Sequence, residues 1–439
     1  MTRGEVPAVG HRGYAVAPVT KIVVMQTERL TAAGGGQRVA RRYSGSMTSL
    51  ESPHSTPDLA ALATPLVTPL VTPLATRIVD LGAIARNIAR IRDITATPIL
   101  AVVKADGFGH GIIEVATTAL ESGAAWLGVA TVDEALTLRS AGIVAPVLCW
   151  LADPWCDLRA AVAAGVTISC ANVETLEAVA ALGCAAEVHL ELDTGMSRGG
   201  APLSAWNALF IAALTCSSVR VTGLWSHLAL ATDAAPAATT AQVQAFKRGV
   251  AQARALGLEP GILHLANSAG ALEHPDTWFD LVRCGAALYG IETVIGRTHA
   301  LEPAMRVISR VTQLKRVVAG TGVSYTHAWV APVDTTLVLV PVGYGDGIPR
   351  DLSHGGQVVI GGVRHPVVGA ISMDQLVVDV GDAAVVLGDE VVLLGSPARG
   401  EPDSQEWAAV TGTIAHEILT GLGGRMHRRH TNQIRGTLS

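Results

Sequence analysis

The chain has 439 residues, of which 49% are hydrophobic and 16% are charged, and its formal net charge is −5 with neutral histidines. This length exceeds that of an average domain and suits a large barrel with a smaller second domain. The slight acidity argues against a basic nucleic-acid surface, and the aromatic content of 4% argues against a platform for stacked single strands. No apolar run reaches the ~20 residues that span a bilayer, so we expect neither nucleic-acid nor membrane partners.

The six cysteines form no CxxC pair, and their spacing matches no zinc site. A chain of this length does not need disulfides to build its core. We therefore expect reduced, mostly buried thiols, no metal ion and a cytoplasmic location.

Residues 1–75 differ from the rest of the chain in their residue pattern and carry the tandem repeat ATPLVTPLVTPLAT. Each Thr-Pro step keeps the preceding residue extended and removes a backbone donor. The pattern predicts a disordered, low-complexity N-terminal extension. It is interpreted as dispensable, or as the result of a start assigned too early, with Met25 or Met47 as the true one.

Residues 76–305 alternate short β-rich apolar runs with alanine-rich helical segments, as in PILAVVKA followed by GIIEVATTALESG, or VTISCAN followed by VETLEAVAALG. Strands that alternate with helices indicate parallel βα units. Because the alternation extends over more than 200 residues, it favours a closed (β/α)8 barrel.

Residues 306–439 read instead as short strands separated by turns, among them TLVLVPVGYGDG, QVVIGGVRHPVVG and DEVVLLG. This pattern of short strands and turns predicts a C-terminal, mainly antiparallel β domain. One short terminal helix is expected over EWAAVTGTIAHEILTGLG, and a strand near residues 76–81 is a candidate to join this domain.

Lys104 ends the buried run of ILAVVKADGFGHG, and a glycine-rich turn follows it, with a helix expected from about His110. Most lysines at strand ends extend to solvent. Here the lysine, the strand and the turn coincide at the carboxyl end of the first barrel strand, which is the catalytic face of such barrels. A desolvated lysine has a lowered pKa and becomes an amine able to form a Schiff base, for which pyridoxal phosphate is the obvious carbonyl partner.

A second polar cluster is predicted from the segment EVHLELDTGMSR. Its strand alternates, so that His189, Glu191 and Asp193 face the barrel interior while the aliphatic residues between them face the helices. Buried polar side chains are costly unless they are hydrogen-bonded, so this alternation favours a functional site.

Nine motifs recur in order between residues 77 and 430: AVVKADGFGHG, LDTGMSRGG, GLWSHLA, HLANSAG, VRCGAALYG, GVSY, PVGYGDGIPR, SMDQ and GTIAHEILTGLG. In these motifs the sequence resembles the alanine racemase family of barrel-type pyridoxal-phosphate enzymes. The resemblance implies that Lys104 binds the cofactor and acts as one of two racemisation bases.

The same resemblance implies roles for three further barrel residues. Arg198 would contact the phenolic oxygen of the cofactor and the substrate carboxylate. Glu191 stands where many members have a carbamylated lysine, and its carboxylate could pair with Arg198 directly. Arg283 would face the pyridine nitrogen. Because a guanidinium keeps its protons, that nitrogen stays unprotonated and the ring is a weaker electron sink, which favours simple reprotonation of the substrate.

The phosphate end of the cofactor would lie against Ser268 and the backbone amides near Gly285 and Ala286, with Asn267 ordering them. By resemblance, His227 packs against the pyridine ring.

A second base must act on the opposite face of the substrate, since one lysine would return most protons to its own face. The resemblance assigns this role to Tyr325 from the β domain of a partner subunit, which implies a homodimer. Tyr344, Met373 and Asp374 would line the entrance and the pocket for a small amino-acid substrate.

Four positions depart from the family pattern. Phe108 and His416 replace two tyrosines whose hydroxyls contact the phosphate, although histidine still offers a hydrogen-bond donor. Ala370 replaces an arginine and Ser372 replaces a cysteine at the SMDQ motif. These changes predict a weaker hold on the cofactor and leave the substrate range open.

The sequence thus predicts a pyridoxal-phosphate-dependent alanine racemase with a two-base mechanism, which by resemblance supplies D-alanine for peptidoglycan. A racemase for another amino acid, such as serine, stays open on the same scaffold. A decarboxylase is a second alternative, but those enzymes place an acid rather than Arg283 at the pyridine nitrogen. A non-catalytic cofactor-binding protein is a third, and the retained Tyr325 argues against it.

Overall fold

The computed structural model describes residues 73–232 and 237–432. The interpretation of residues 1–72 as a disordered extension lies outside the described residues. The described chain starts with strand β1 (Thr76–Asp80) and helix α1 (Leu81–Thr95). Asp80 caps α1, because its carboxylate accepts a hydrogen bond from the backbone N–H of Ala83 at 3.2 Å.

Eight parallel strands follow, and from β2 to β8 neighbours along the chain are neighbours in the sheet. They are β2 (Ile99–Val102), β3 (Trp126–Val129), β4 (Val147–Cys149), β5 (Thr167–Cys170), β6 (Ala186–Glu191), β7 (Val219–Trp225), β8 (Ile262–His264) and β9 (Val282–Cys284). Strand β9 returns to pair with β2, Ile99 opposite Val282. Between β8 and β9 the backbone N–H of Asp280 donates to the carbonyl of Leu263 at 2.9 Å, which brings the two ends of the sheet together. The expectation of a (β/α)8 barrel is confirmed.

Helical segments connect these strands, and most of them are short. They are α2 (Lys104–Phe108), α3 (Ile112–Glu121), α4 (Val132–Ser140), α5 (Leu158–Ala163), α6 (Val173–Ala180), α7 (Trp206–Thr215), α8 (Ala237–Ala255) and α9 (Ser268–Glu273). All four residues of β2 and of β5 are buried, as expected for strands that are covered on both faces.

The second part of the described chain is a sheet of short strands. They are β10 (Met305–Arg310), β11 (Gln313–Val317), β12 (Gly322–Val323), β13 (Trp329–Val330), β14 (Thr335–Val340), β15 (Gln357–Ile360), β16 (Val363–Val368), β17 (Leu376–Gly381), β18 (Glu390–Leu394) and β19 (His427–Thr431). Nine strands form one sheet in the order β11-β14-β17-β16-β15-β18-β10-β1-β19, and β12 pairs with β13 separately. Every pairing in this part is antiparallel except that of β1 with β19.

Strand β1 therefore lies in the second sheet, between β10 and β19, although it precedes the barrel in sequence. Seven 310 helices complete the described elements: Leu203–Ala205, Pro275–Thr277, Ala286–Tyr289, Tyr325–His327, Tyr344–Asp346, Arg350–His354 and Pro397–Arg399.

The single terminal helix expected over residues 406–423 is wrong, because two helices occur there: α10 (Ser404–Thr411) and α11 (Ala415–Gly421). Gly412 separates them in a left-handed conformation with φ of 69°, and its N–H closes α10 on the carbonyl of Ala408. A glycine adopts this conformation without the steric cost of a Cβ, and it commonly ends helices.

All six cysteines are unpaired; Cys149, Cys170 and Cys284 are buried, whereas Cys184 is exposed. Burial raises the pKa of each of the three buried thiols to about 12, so these side chains are inert apolar residues of the core.

Candidate active site

Lys104 lies just beyond β2, at the carboxyl end of the barrel, and it starts the segment α2. This segment is left-handed: φ is 53° at Ala105 and Asp106, 60° at Gly107 and 53° at Phe108. A left-handed turn costs about 1–2 kcal/mol for each residue with a side chain, so the surroundings must hold it in place.

Two carboxylates stabilise this left-handed segment. Glu134, at the start of α4, accepts a hydrogen bond from the backbone N–H of Ala105 at 2.7 Å. Asp106 accepts one from the N–H of Ile112 at 3.0 Å and forms an ion pair with Arg428 of β19. The main chain around Lys104 is therefore fixed by groups from three different elements.

The Lys104 amine forms no ion pair within the described residues. Burial is the main cause that lowers its pKa, and the nearby positive charge of Arg198 adds to the effect, while Glu134 acts against it. A lysine in this environment is more often neutral, and hence nucleophilic, than a lysine in water.

Arg283 of β9 is buried at the centre of a hydrogen-bonded network. Its Nη2 donates to the carbonyls of Ser226 at 2.8 Å and Leu265 at 3.1 Å, and lies 3.2 Å from Nδ1 of His227. Its Nη1 lies 3.1 Å from Nδ1 of His264. Burial lowers the pKa of Arg283 to about 10, yet it stays a cation that only donates hydrogen bonds.

The guanidinium of Arg283 determines which ring nitrogen of His264 carries a hydrogen, and it favours the neutral form of the histidines around it. Because Arg283 can only donate, Nδ1 of His264 must accept, so Nε2 of His264 carries the hydrogen that points at Nδ1 of His189, 2.9 Å away. Burial lowers the pKa of His264, and it lowers those of His189 and His227 to about 3, with Arg283 contributing in each case. The three rings are therefore neutral near pH 7.

The interior direction expected for β6 agrees with this network, since His189 is fully buried and bonded across the barrel. No hydrogen bond or ion pair joins Glu191 and Arg198 in the described part of the chain, so their pairing stays a prediction. Arg198 is exposed, whereas Glu191 is half-buried against Gly199. Burial raises the pKa of Glu191 to about 7, and the charges of Arg283 and Arg198 act in the opposite direction.

A polar cradle forms where α9 and β9 meet. The Ser268 hydroxyl oxygen accepts hydrogen bonds from the N–H groups of Gly285 at 3.1 Å and Ala287 at 3.3 Å, so its own hydrogen remains free to donate. Asn267 caps α9 by accepting from the N–H of Gly270 at 3.0 Å. Ala286, which was expected to contribute its amide, is buried between the two bonded residues.

Phe108 and His416 lie together beside this cradle. A Cβ on Gly285 would meet the ring of Phe108 at 3.0 Å, so glycine at this position makes room for that ring. The Phe108 ring stacks on Tyr289 with centroids 4.6 Å apart and lies 5.9 Å from His416. Nδ1 of His416 is buried and has no hydrogen-bond partner among the described residues.

The four predicted residues of the second sheet lie apart from this cluster. Tyr325, Tyr344 and Met373 are 68%, 44% and 54% exposed, and within the described residues no hydrogen bond or ring contact joins them to the barrel residues above. Asp374 forms an ion pair with Arg425 at 2.6 Å. A single chain thus brings together one set of predicted residues and leaves the other set exposed.

Two site residues were missed by the sequence interpretation. Glu134 completes a capping box with Thr131, and the spacing of TVDE is the sequence signal of that motif. His264 begins HLANSAG, but a lone histidine at a strand end gives no local signal of its contact with an arginine 19 residues away.

A cavity of about 580 Å³ lies at the opposite, amino end of β5 to β7. Arg139 lines it, but its guanidinium donates to four backbone carbonyls, those of Ile143, Ala145, Ala164 and Gly165. Arg139 is therefore a structural residue of this cavity. In the described ranges, no helix has the length and apolar character needed to cross a membrane, and no cluster of side chains has the composition of a metal site.

Comparisons with known proteins agree over most of the described chain. The family model "Alanine racemase, N-terminal domain" matches residues 79–293, and "Alanine racemase, C-terminal domain" matches residues 304–430. A curated alanine racemase of Salinispora arenicola is 46% identical over 352 residues, which cover 79% of this chain and 95% of that protein.

Solved structures give the same result. Alanine racemase from Streptomyces coelicolor A3(2) superposes with a TM-score of 0.80 at 42% identity, covering 82% of this chain and 98% of that one. Alanine racemase from Bartonella henselae, solved with covalently bound pyridoxal phosphate, has a TM-score of 0.76 at 31% identity and covers 82% and 100% of the two chains.

Proposed function

This chain belongs to the alanine racemase family, and on that premise we propose that it is an isomerase that interconverts L- and D-alanine with pyridoxal phosphate. The observation that carries the proposal is the position of the Lys104 amine. It is desolvated and unpaired in the described chain, on the same end of the barrel as the Arg283 network and the Ser268 cradle.

The residues present fit this cofactor. A phosphate needs donors, and Ser268 keeps a free hydroxyl hydrogen while His416 has a buried, unpartnered ring nitrogen. Glycine at position 285 makes room for the ring of Phe108 beside these two groups. An aldehyde needs an uncharged amine, and burial favours that form of Lys104. When bound, pyridoxal phosphate supplies a conjugated ring that accepts the electron pair left at Cα when its proton is removed.

The chain's own groups then divide the work. Lys104 removes or delivers the proton on one face of Cα. Arg283 would hold the pyridine nitrogen of the cofactor by a hydrogen bond without releasing its proton, and its contacts with His264 and the Ser226 carbonyl fix the orientation of the guanidinium. Arg198 would attract the substrate carboxylate, and His227, which lies beside Arg283, would pack against the cofactor ring.

The second proton donor is Tyr325 of a partner subunit in a homodimer. Racemisation needs bases on opposite faces of Cα. Two observations support this assignment: Tyr325 is 68% exposed, and it makes no contact with the barrel site of its own chain within the described residues. Tyr344, Met373 and Asp374 accompany it at the entrance for the small amino-acid substrate.

We further propose a domain boundary near residue 305, a cytoplasmic location and a role in supplying D-alanine for the cell wall. The boundary agrees with the gap between residues 293 and 304 that separates the two family matches.

The test is an exchange assay on the purified chain. L-alanine in deuterated water should lose optical activity and gain deuterium at Cα, and L-serine should react more slowly. Lys104→Ala should abolish both the reaction and the absorbance of lysine-bound cofactor, whereas the exposed Lys247→Ala control should keep both. Release of carbon dioxide without racemisation would contradict the proposal in favour of a decarboxylase, and faster turnover of serine would reassign the substrate.

A further inference from the structure

The ring of Trp150 reaches the catalytic lysine from two strands away. Trp150 directly follows β4, and its backbone N–H donates to the carbonyl of Val129 in β3. Its indole then crosses β3 above Gly128, where a Cβ would lie 2.7 Å from the ring. Beyond Gly128 the face of the indole ring meets Lys104, whose Nζ lies 5.6 Å from the ring centroid.

This separation is within the range of a cation–π contact, and tryptophan is the strongest partner for it. The absence of a side chain at Gly128 makes the contact possible, because any larger residue in the middle of β3 would displace the indole. The contact thus depends on two positions in neighbouring strands rather than on a flexible surface side chain.

We propose that Trp150 is a positioning residue for Lys104, and that its ring face stabilises the ammonium form that Lys104 adopts each time it takes a proton from Cα. The proposal rests on the function given above. An aromatic face is suited to this task because it favours the cation without a short ion pair. A carboxylate within 3 Å would hold the proton too firmly for Lys104 to return it.

The other charges that act on Lys104 are few. Arg198 opposes the ammonium form and Glu134 supports it. His227 and His416 also lie close enough to be affected by the lysine, but burial lowers the pKa of both, so they are neutral near pH 7. The Glu134 carboxylate is already bound to backbone N–H groups. Trp150 is therefore the neutral group on the described chain that offsets the burial of the Lys104 cation.

The direct test measures Lys104 in the full-length protein after its pyridoxal phosphate has been removed. Competitive acetylation over a pH series, read by mass spectrometry on the Lys104 peptide, gives the pKa of the amine. Trp150→Leu should lower this pKa by about 0.5 to 1, and Trp150→Phe should lower it by less. Trp155→Leu is the matched control, because Trp155 lies on the same loop and is 90% exposed.

The second test uses the holoenzyme. Since L- and D-alanine are equal in free energy, kcat/KM must be the same in both directions. The Cα-deuterium isotope effect has no such constraint, and Trp150→Leu should increase it only in the direction in which Lys104 removes the proton. In that direction the acidic limb of the pH profile should move to lower pH in the same variant, because Lys104 acts there as the base.

An unchanged Lys104 pKa, or a uniform loss of activity with unchanged isotope effects, would overturn the proposal and leave Trp150 a packing residue. If Trp150→Leu fails to fold, Trp150→Phe decides, because a weaker aromatic face should still give a smaller shift in the same direction. Absence of racemisation in the unmodified protein would contradict the proposed function, while the acetylation result would still stand on its own.

Discussion

Glu134 and Ala105 are joined by a hydrogen bond of 2.7 Å from the backbone N–H of Ala105 to Oε1 of Glu134, directly beside Lys104. The other carboxylate oxygen accepts from the N–H groups of Ala130 at 2.8 Å and Thr131 at 3.3 Å. One side chain thus connects the loop after β2 with the loop after β3. It opposes the strain of the left-handed segment and supplies a negative charge close to the reactive amine.

We expect Glu134→Gln to destabilise the fold by about 1–3 kcal/mol, because an amide keeps only one acceptor oxygen and leaves a backbone N–H facing its own NH2 group. Turnover should fall as well, since Lys104 loses its fixed main chain. Urea unfolding and the exchange assay measure the two effects. Asp133→Asn, an exposed change on the same first turn of α4, is the control. Equal behaviour of the two variants would contradict the role given to Glu134.

Arg283→Lys should strongly destabilise the fold, although the substitution retains the positive charge. A lysine cannot reach the carbonyls of Ser226 and Leu265 together with the ring of His264, so buried acceptors lose their donors. We expect a loss of about 2–4 kcal/mol in the free energy of unfolding, together with a large loss of racemisation.

Arg220→Lys provides the control for this change. Arg220 is an exposed residue of β7 that pairs with Glu187, and such pairs contribute about 0–1 kcal/mol. If Arg283→Lys lowers the free energy of unfolding no more than Arg220→Lys does, the buried hydrogen bonds of Arg283 do not stabilise the fold.

The pH dependence of stability should reveal Glu191. Burial raises its pKa to about 7 from an ordinary value of 4.5, so between these pH values the folded state holds a proton that the unfolded state has lost. Its contribution therefore falls as pH rises through that window. Glu191→Gln should gain up to about 3 kcal/mol relative to the unmodified protein between pH 5 and pH 8.

Urea unfolding at the two pH values measures this difference. Glu187→Gln, at an exposed position of the same strand, should give the same difference from the unmodified protein at both pH values. A Glu191→Gln variant with no pH-dependent gain would mean that the carboxylate is ionised throughout. We also expect this variant to lose activity with its fold intact, and full activity would argue against a role for the carboxylate.

Complementation tests the position of Tyr325. Lys104→Ala and Tyr325→Phe should each be nearly inactive alone. If each site combines Lys104 of one chain with Tyr325 of the other, mixed dimers contain one intact site and one doubly altered site, so mixing the refolded variants should restore activity. Tyr344→Phe in place of Tyr325→Phe is the comparison. No recovery on mixing would indicate that both residues act within one chain.

Local patterns predicted a large share of this arrangement. The alternation of strands and helices indicated the barrel, and the alternation within β6 placed His189 in the interior, where it is bonded to His264. The lysine at the end of β2 was predicted to mark the catalytic face for the same reason: hydrophobic periodicity is a property of neighbouring residues, and it fixes which side of an element is buried.

What the sequence by itself determined was therefore the type of each element, its buried face and the chemical groups available at its ends. Only the tertiary structure decided which groups meet. The bond from Ala105 to Glu134 spans 29 residues, that from Arg283 to Ser226 spans 57, and the β1–β19 pairing joins the two ends of the described chain. Contacts of this kind depend on strand order and on the space left by residues such as Gly128, and no local pattern encodes either.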